Sequence, residues 1–183
     1  MTDCIHFSGH YADGFETTGN PGESRRERSM IFIDLANILP VSDRIPRSEL
    51  DFGQLVDQLS QGYDRRAAYA FDSDAGRDNN LHHALRRMGI RVKDGGHIEN
   101  GKQKGVDVEL SCSMLMHACR DDYDTAILVS GDADFVPAIH QIQELGKRAV
   151  VATFSECASA RIMEACDECL VLDSMPIFRT KGV

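Results

Sequence analysis

The chain predicts an α/β protein with a doubly wound, three-layer fold built on a mostly parallel sheet of five or six strands. Apolar runs of strand length alternate with stretches of helical period, and glycine closes some of the helical stretches. The length of 183 residues, 42% of them hydrophobic, fits one domain with a sizeable core. Neither G-x-G-x-x-G nor G-x-x-x-x-G-K-[ST] occurs, so no nucleotide cofactor is expected.

Residues 1–29 are rich in Gly, Ser, Thr, Asp and Glu without apolar period, and read as a disordered leader. Met30 to Ala36 is an apolar run broken by Asp34, the first strand. Leu50, Phe52, Leu55, Val56 and Leu59 recur at helical spacing, which predicts a helix from Pro46 to Leu59 with Ser48 and Glu49 in its first turn. Arg66 to Phe71 is the second strand, Asn79 to Met88 the second helix before Gly89, and Ile90 to Lys93 a short third strand. The segment 94–105 holds Gly95, Gly96, Gly101 and Gly105 and reads as a mobile loop. Val106 to Cys119 returns to helical period. The apolar run from Thr125 is the fourth strand, ending in Ser130-Gly131-Asp132-Ala133-Asp134. A helix from Phe135 to Leu145, a strand from Arg148 to Phe154, a helix from Ser155 to Cys166 and a last strand from Cys169 to Leu172 follow. Residues 30–173 form the expected domain, and 174–183 an irregular tail.

No stretch approaches the ~18 consecutive apolar residues of a membrane helix, and no secretory leader is evident, so a soluble cytoplasmic protein is expected. Most of the six cysteines fall in helical or strand patterns and read as reduced thiols. Cys166 and Cys169 form a C-x-x-C without a second pair at zinc spacing. The net charge of −9 argues against a surface that binds nucleic acid everywhere. Positive charge is nevertheless concentrated at Arg77, Arg86, Arg87, Arg91, Lys93, Lys102 and Lys104, a stretch that suits either a solvated face or a phosphate backbone.

In a doubly wound sheet the first and fourth strands flank the point where strand order reverses, which brings Asp34, Asp132 and Asp134 to one carboxyl edge, with Asp107 in the first turn of the helix leading to strand four. Asp134 suits an N-cap of the following helix as well as a ligand role, and Asp107 suits a helix macrodipole. Asp34 and Asp132 have no evident cap to make and are the stronger ligands. Clustered carboxylates need a proton or cation, and an all-oxygen set favours Mg²⁺ or Mn²⁺. Such a centre fits phosphodiester hydrolysis, with Lys104, Lys102, Arg86, Arg87 and Ser130 as candidate substrate contacts.

Ile33-Asp34-Leu35-Ala36-Asn37, Lys104-Gly105-Val106-Asp107-Val108 and Ser130-Gly-Asp-Ala-Asp-Phe-Val-Pro137, followed by Leu145-Gly-Lys147, resemble in order and spacing the NYN domains of the PIN-like ribonuclease superfamily, in particular the LabA-like group. The resemblance implies a metal-dependent ribonuclease with Asp34, Asp107, Asp132 and Asp134 as its acidic site, Asn37 orienting the first of them, and RNA as substrate. Two departures stand out. Leu35 and Ala36 replace a frequent Gly and Glu, and Ser113 stands where a further Asp is frequent, leaving the number of metal ions open. The alternative is a catalytically weak or inactive PIN-like regulator that binds RNA or protein. Phosphoryl transfer through an Asp is disfavoured because no D-x-D follows the first strand. The sequence leaves a homo-oligomer open.

Overall fold

The computed structural model describes residues 25–46, 48–72, 80–94, 97–99 and 102–180; of 94, 97–99 and 102–104 it describes the backbone. The expected leader, residues 1–24 of it, lies outside the described residues, as does Arg77. The strands are β1 (Arg28–Asp34), β2 (Ser48–Leu50), β3 (Asp64–Asp72), β4 (Arg91–Asp94), β5 (His97–Glu99), β6 (Lys102–Lys104), β7 (Thr125–Val129), β8 (Arg148–Thr153), β9 (Glu168–Val171) and β10 (Phe178–Thr180). The helices are α1 (Leu35–Ser42), α2 (Phe52–Leu59), α3 (Asn80–Arg87), α4 (Val106–Cys119), α5 (Val136–Glu144) and α6 (Ala160–Ala165).

The central sheet has six strands in the order β4-β3-β1-β7-β8-β9, every pairing parallel. The chain winds outward from β1 to β4, then crosses back and winds outward from β7 to β9. Strand order therefore reverses between β1 and β7, and a crevice opens there at the carboxyl edge. Ile33 is in register with Val129, so Asp34 and Ser130 leave the sheet side by side.

Alternation along β1 divides the core into two layers. Ile31 and Ile33 pack with Leu35 and Ile38 of α1, Phe52, Leu55, Val56 and Leu59 of α2 and Leu85 of α3. Met30 and Phe32 face the other way, against Val106, Leu110 and Met114 of α4, Ile139 and Ile142 of α5 and Ile162 of α6. Among the described residues no helix is long and apolar enough to cross a membrane.

The predicted elements of the central sheet are present, with four corrections around them. The single helix expected from Pro46 is instead strand β2 followed by α2, capped by Asp51, whose Oδ1 accepts the Gln54 N–H at 3.1 Å. Helix α1 was not foreseen: it continues the apolar run of β1 and contains Pro40, which removes an internal donor. The supposed irregular tail includes β10, antiparallel to β2, and the supposed loop after β4 includes the hairpin β5–β6. The pairing of β2 with β10 joins residues far apart in sequence, which local periodicity does not register.

At the amino edge Arg28 pins β1 to the start of β7. Its backbone N–H and Nε both donate to Asp124 Oδ2 at 3.0 Å, and Nη2 donates to Asp121 Oδ2 at 3.1 Å. Lys147 completes the group by pairing with Asp121. The hydrogen bond from Arg28 holds the Asp124 carboxyl down at about 2, below its ordinary 3.8. A depressed carboxylate stabilises the fold above its unfolded value and loses that contribution as pH falls. Asp124→Asn is expected to cost about 1 kcal/mol at pH 7, screening included, and to flatten the loss of stability between about pH 4 and 2. Urea unfolding of both proteins across that range checks it.

Candidate active site

Asp34, the last residue of β1, is 3% exposed. An extended backbone there turns directly into α1, so one carboxylate does two jobs. Oδ1 accepts the Asn37 backbone N–H at 3.3 Å as the helix N-cap, and Oδ2 accepts the Ser130 hydroxyl at 3.0 Å. Ser130 Oγ in turn accepts the Asp132 N–H at 3.2 Å, and Asp132 Oδ1 accepts the Asp134 N–H at 2.9 Å, capping the 3-10 turn Ala133–Phe135. A continuous chain of hydrogen bonds thus links the ends of β1 and β7.

The capping roles are the reverse of those expected from sequence. Asp34 and Asp132 both cap, whereas Asp134 is exposed and caps nothing: helix α5 begins after Phe135 without a side-chain cap. A short turn intervenes between strand and helix, moving the cap two residues upstream.

The four acids share one electrostatic neighbourhood. Burial pushes the Asp34 carboxyl up to about 6, against the hydrogen bonds from Ser130 and Asn37, and the charges of Asp107 and Asp132 raise it further. Asp107, in the first turn of α4, is raised by desolvation and by Asp132 and Asp134. Among the described residues no group of three or more acids, histidines or cysteines stands close enough together to hold a metal ion as placed. The chemistry of these side chains, all oxygen donors, fits a hard divalent cation that keeps several of its waters.

Asn37 acts on a different partner from the one expected. Its side-chain Oδ1 accepts the Gly131 N–H at 2.9 Å, while only its backbone reaches Asp34. The carboxamide latches the β1–α1 corner to the loop after β7. Asn37→Ala leaves the Gly131 N–H without that acceptor and is expected to cost about 1–3 kcal/mol, read as a lowered urea midpoint, with Asn37→Asp retaining most of the stability.

The basic candidates are distributed unevenly. Arg86 and Arg87 are exposed in the last turn of α3. A helix following a parallel strand runs back along the sheet, so they stand at the amino edge, away from the acids. Lys102 and Lys104 lie on β6, immediately before α4, and their side chains are outside the described residues. Lys93, at the carboxyl end of β4, reaches α4, with Nζ 3.8 Å from Glu109 Oε1. Ser113 is buried, on the inner side of α4.

Sequence reasoning passed over Gly131. A Cβ there would meet the Cys157 carbonyl oxygen at 2.1 Å, its carbon at 2.6 Å and Thr153 Oγ1 at 2.7 Å. The Gly131 carbonyl also accepts the Ser159 N–H at 3.0 Å. Its only sequence signal was a glycine at a strand end, which usually marks a turn rather than a backbone crossing.

Comparison with solved structures gives a Vibrio parahaemolyticus protein of unknown function, 26% identical, covering 83% of this chain and 96% of its own, with a TM-score of 0.72. The C-terminal domain of a Pyrococcus furiosus hydrogenase is 14% identical, covering 75% and 99%, with a TM-score of 0.44. No curated protein matches this chain. The sequence model of the NYN domain matches residues 28–173, which take in the six-stranded sheet and all four acids. The chain therefore belongs to the NYN domain family, of PIN-like nuclease type.

Proposed function

We propose that the protein is a Mg²⁺- or Mn²⁺-dependent ribonuclease that hydrolyses RNA phosphodiester bonds at the carboxyl edge between β1 and β7. The observation that carries this is the convergence of Asp34, Asp107, Asp132 and Asp134, where the charges of neighbouring acids raise the carboxyls of Asp34 and Asp107. A divalent ion held there supplies a Lewis acid that favours ionisation of water and offsets charge on the scissile phosphate. Asp34, Asp107 and Asp132 are the ligands, and Asp134, the most exposed of the acids at the end of β7, ligates or orients the attacking water. Ser130 fixes the Asp34 carboxylate, and Asn37 holds the loop that carries Asp132. Lys93 and the hairpin bearing Lys102 and Lys104 flank the acids and hold the RNA backbone by charge.

The free thiols Cys112, Cys119, Cys157, Cys166 and Cys169 support a reducing, cytoplasmic setting. The test is incubation of RNA with wild-type protein and Asp132→Asn, each with Mn²⁺ or with chelator. Cleavage that needs both Asp132 and the metal is the expected result. RNA binding without turnover under any metal would replace it with the regulator reading, which Ser113 favours.

A further inference from the structure

Helix α4 is apolar on two sides. Val106, Leu110, Met114 and Ala118 face the sheet. On the outer side Val108 is 65% exposed and Met116 51%, and Cys112 and Cys119 are exposed as well. These four recur at spacings that place them within a sector of roughly 80° at 3.6 residues per turn. An apolar stripe on the side of a helix turned away from the core is surface suited to contact with another chain.

Charge identifies the cover. Glu109 and Arg120 lie on the same flank of this stripe, about 20° apart around the axis and near opposite ends of the helix. Among the described residues no carboxylate pairs with Arg120, whose guanidinium lies 4.0 Å from Met116 Sδ. The neighbouring acids are engaged elsewhere: Asp121 with Arg28 and Lys147, Asp122 with His117. Glu109 has only the long contact with Lys93, both side chains 45% exposed. In an antiparallel pair related by a two-fold axis, residues on one flank meet residues on the same flank of the other helix. When Cys112 faces Met116 of the second copy, Val108 faces Cys119 and Glu109 faces Arg120, each twice. A parallel two-fold pair would instead carry the charged flanks of the two copies to opposite sides of the seam, where Glu109 and Arg120 could not pair.

We propose that the protein forms a two-fold dimer through α4, the stripe Val108, Cys112, Met116 and Cys119 packing antiparallel against the same stripe of a second copy, with Glu109 and Arg120 paired across it. Asp107 lies off this face, on the side away from Glu109, so docking leaves the acid crevice open. The dimer does not rest on the proposed chemistry.

Sedimentation velocity of the full chain at micromolar concentrations tests it. The wild type is expected to sediment as a dimer. Met116→Asp, at an exposed position, is expected to raise the dissociation constant at least about tenfold with an unchanged circular dichroism spectrum. Glu109→Arg and Arg120→Glu should each weaken association, and the two together should restore it. A wild type that stays monomeric at about 100 μM, a dimer indifferent to Met116→Asp, or a double charge reversal that fails to restore association would overturn the proposal. A monomer in which Met116→Asp weakens RNA binding would do the same, assigning the stripe to RNA.

Discussion

Asp34→Asn is expected to lower RNA cleavage by roughly 10²–10³-fold, the scale set by removing a group that offsets transition-state charge, while making the metal-free protein more stable. The gain follows from the cost of ionising a buried acid. Asp34 titrates at about 6 in the folded chain against an ordinary 3.8. The folded state therefore binds the proton more tightly than the unfolded one. Between about pH 4 and 6 stability falls as pH rises, and above that window the penalty is complete, on the order of 3 kcal/mol. Asparagine removes the ionisation and keeps the cap through its carbonyl oxygen, because Asn serves at N-caps as well as Asp, while its amide nitrogen takes the place of Oδ2 and donates to Ser130 Oγ instead of accepting from it. In chelator at pH 7.5 the variant should melt several degrees above the wild type, and the difference should vanish near pH 4. Added Mn²⁺ should raise the wild-type melting temperature by mass action and leave the variant where it was. A variant that melts lower in chelator would show that Asp34 is held for the fold rather than for a cation, and an advantage that persists at pH 4 would show that the gain does not come from removing the ionisation.

The cost of burying a carboxylate explains why the clustering of the acids was legible in the sequence and their local roles were not. A carboxylate closing an apolar run such as Met30 to Asp34 is costly enough to signal a task, and the alternation of runs was enough to bring β1 beside β7. Sequence separates capping from ligation poorly, because a cap depends on where the helix begins. The turn Ala133–Phe135 moved that start, and with it the cap, from Asp134 to Asp132. Helix α1 was hidden for a related reason: its apolar residues continue those of β1, and Pro40 argues against a helix the packing of Leu35 and Ile38 nevertheless sustains. Hairpin β5–β6 and the β2–β10 pair depend on backbone partners that side-chain patterns do not reveal.

Gly131→Ala should be severely destabilising. The obstacle is steric, since a Cβ at 2.1 Å from the Cys157 carbonyl oxygen and 2.6 Å from its carbon meets backbone, which has no rotamer to yield. Thr153 Oγ1, at 2.7 Å, closes a further direction. Relief requires the 155–159 loop to move away, which breaks the Ser159 N–H bond to the Gly131 carbonyl, or the loop after β7 to move, which breaks the Asn37 latch. Either shift displaces Asp132, the next residue, from the hydrogen-bond chain that ends on Asp34. A loss of about 3–5 kcal/mol is expected, a large share of the stability of a domain this size. Urea unfolding should show a sharply lowered midpoint with an unchanged slope. Cys157→Ala does not relieve the clash, because the obstructing atoms are main chain. The methyl therefore tests whether this crossing of two backbones sets the position of the loop that carries Asp132: a Gly131→Ala protein with wild-type stability and wild-type cleavage would refute that.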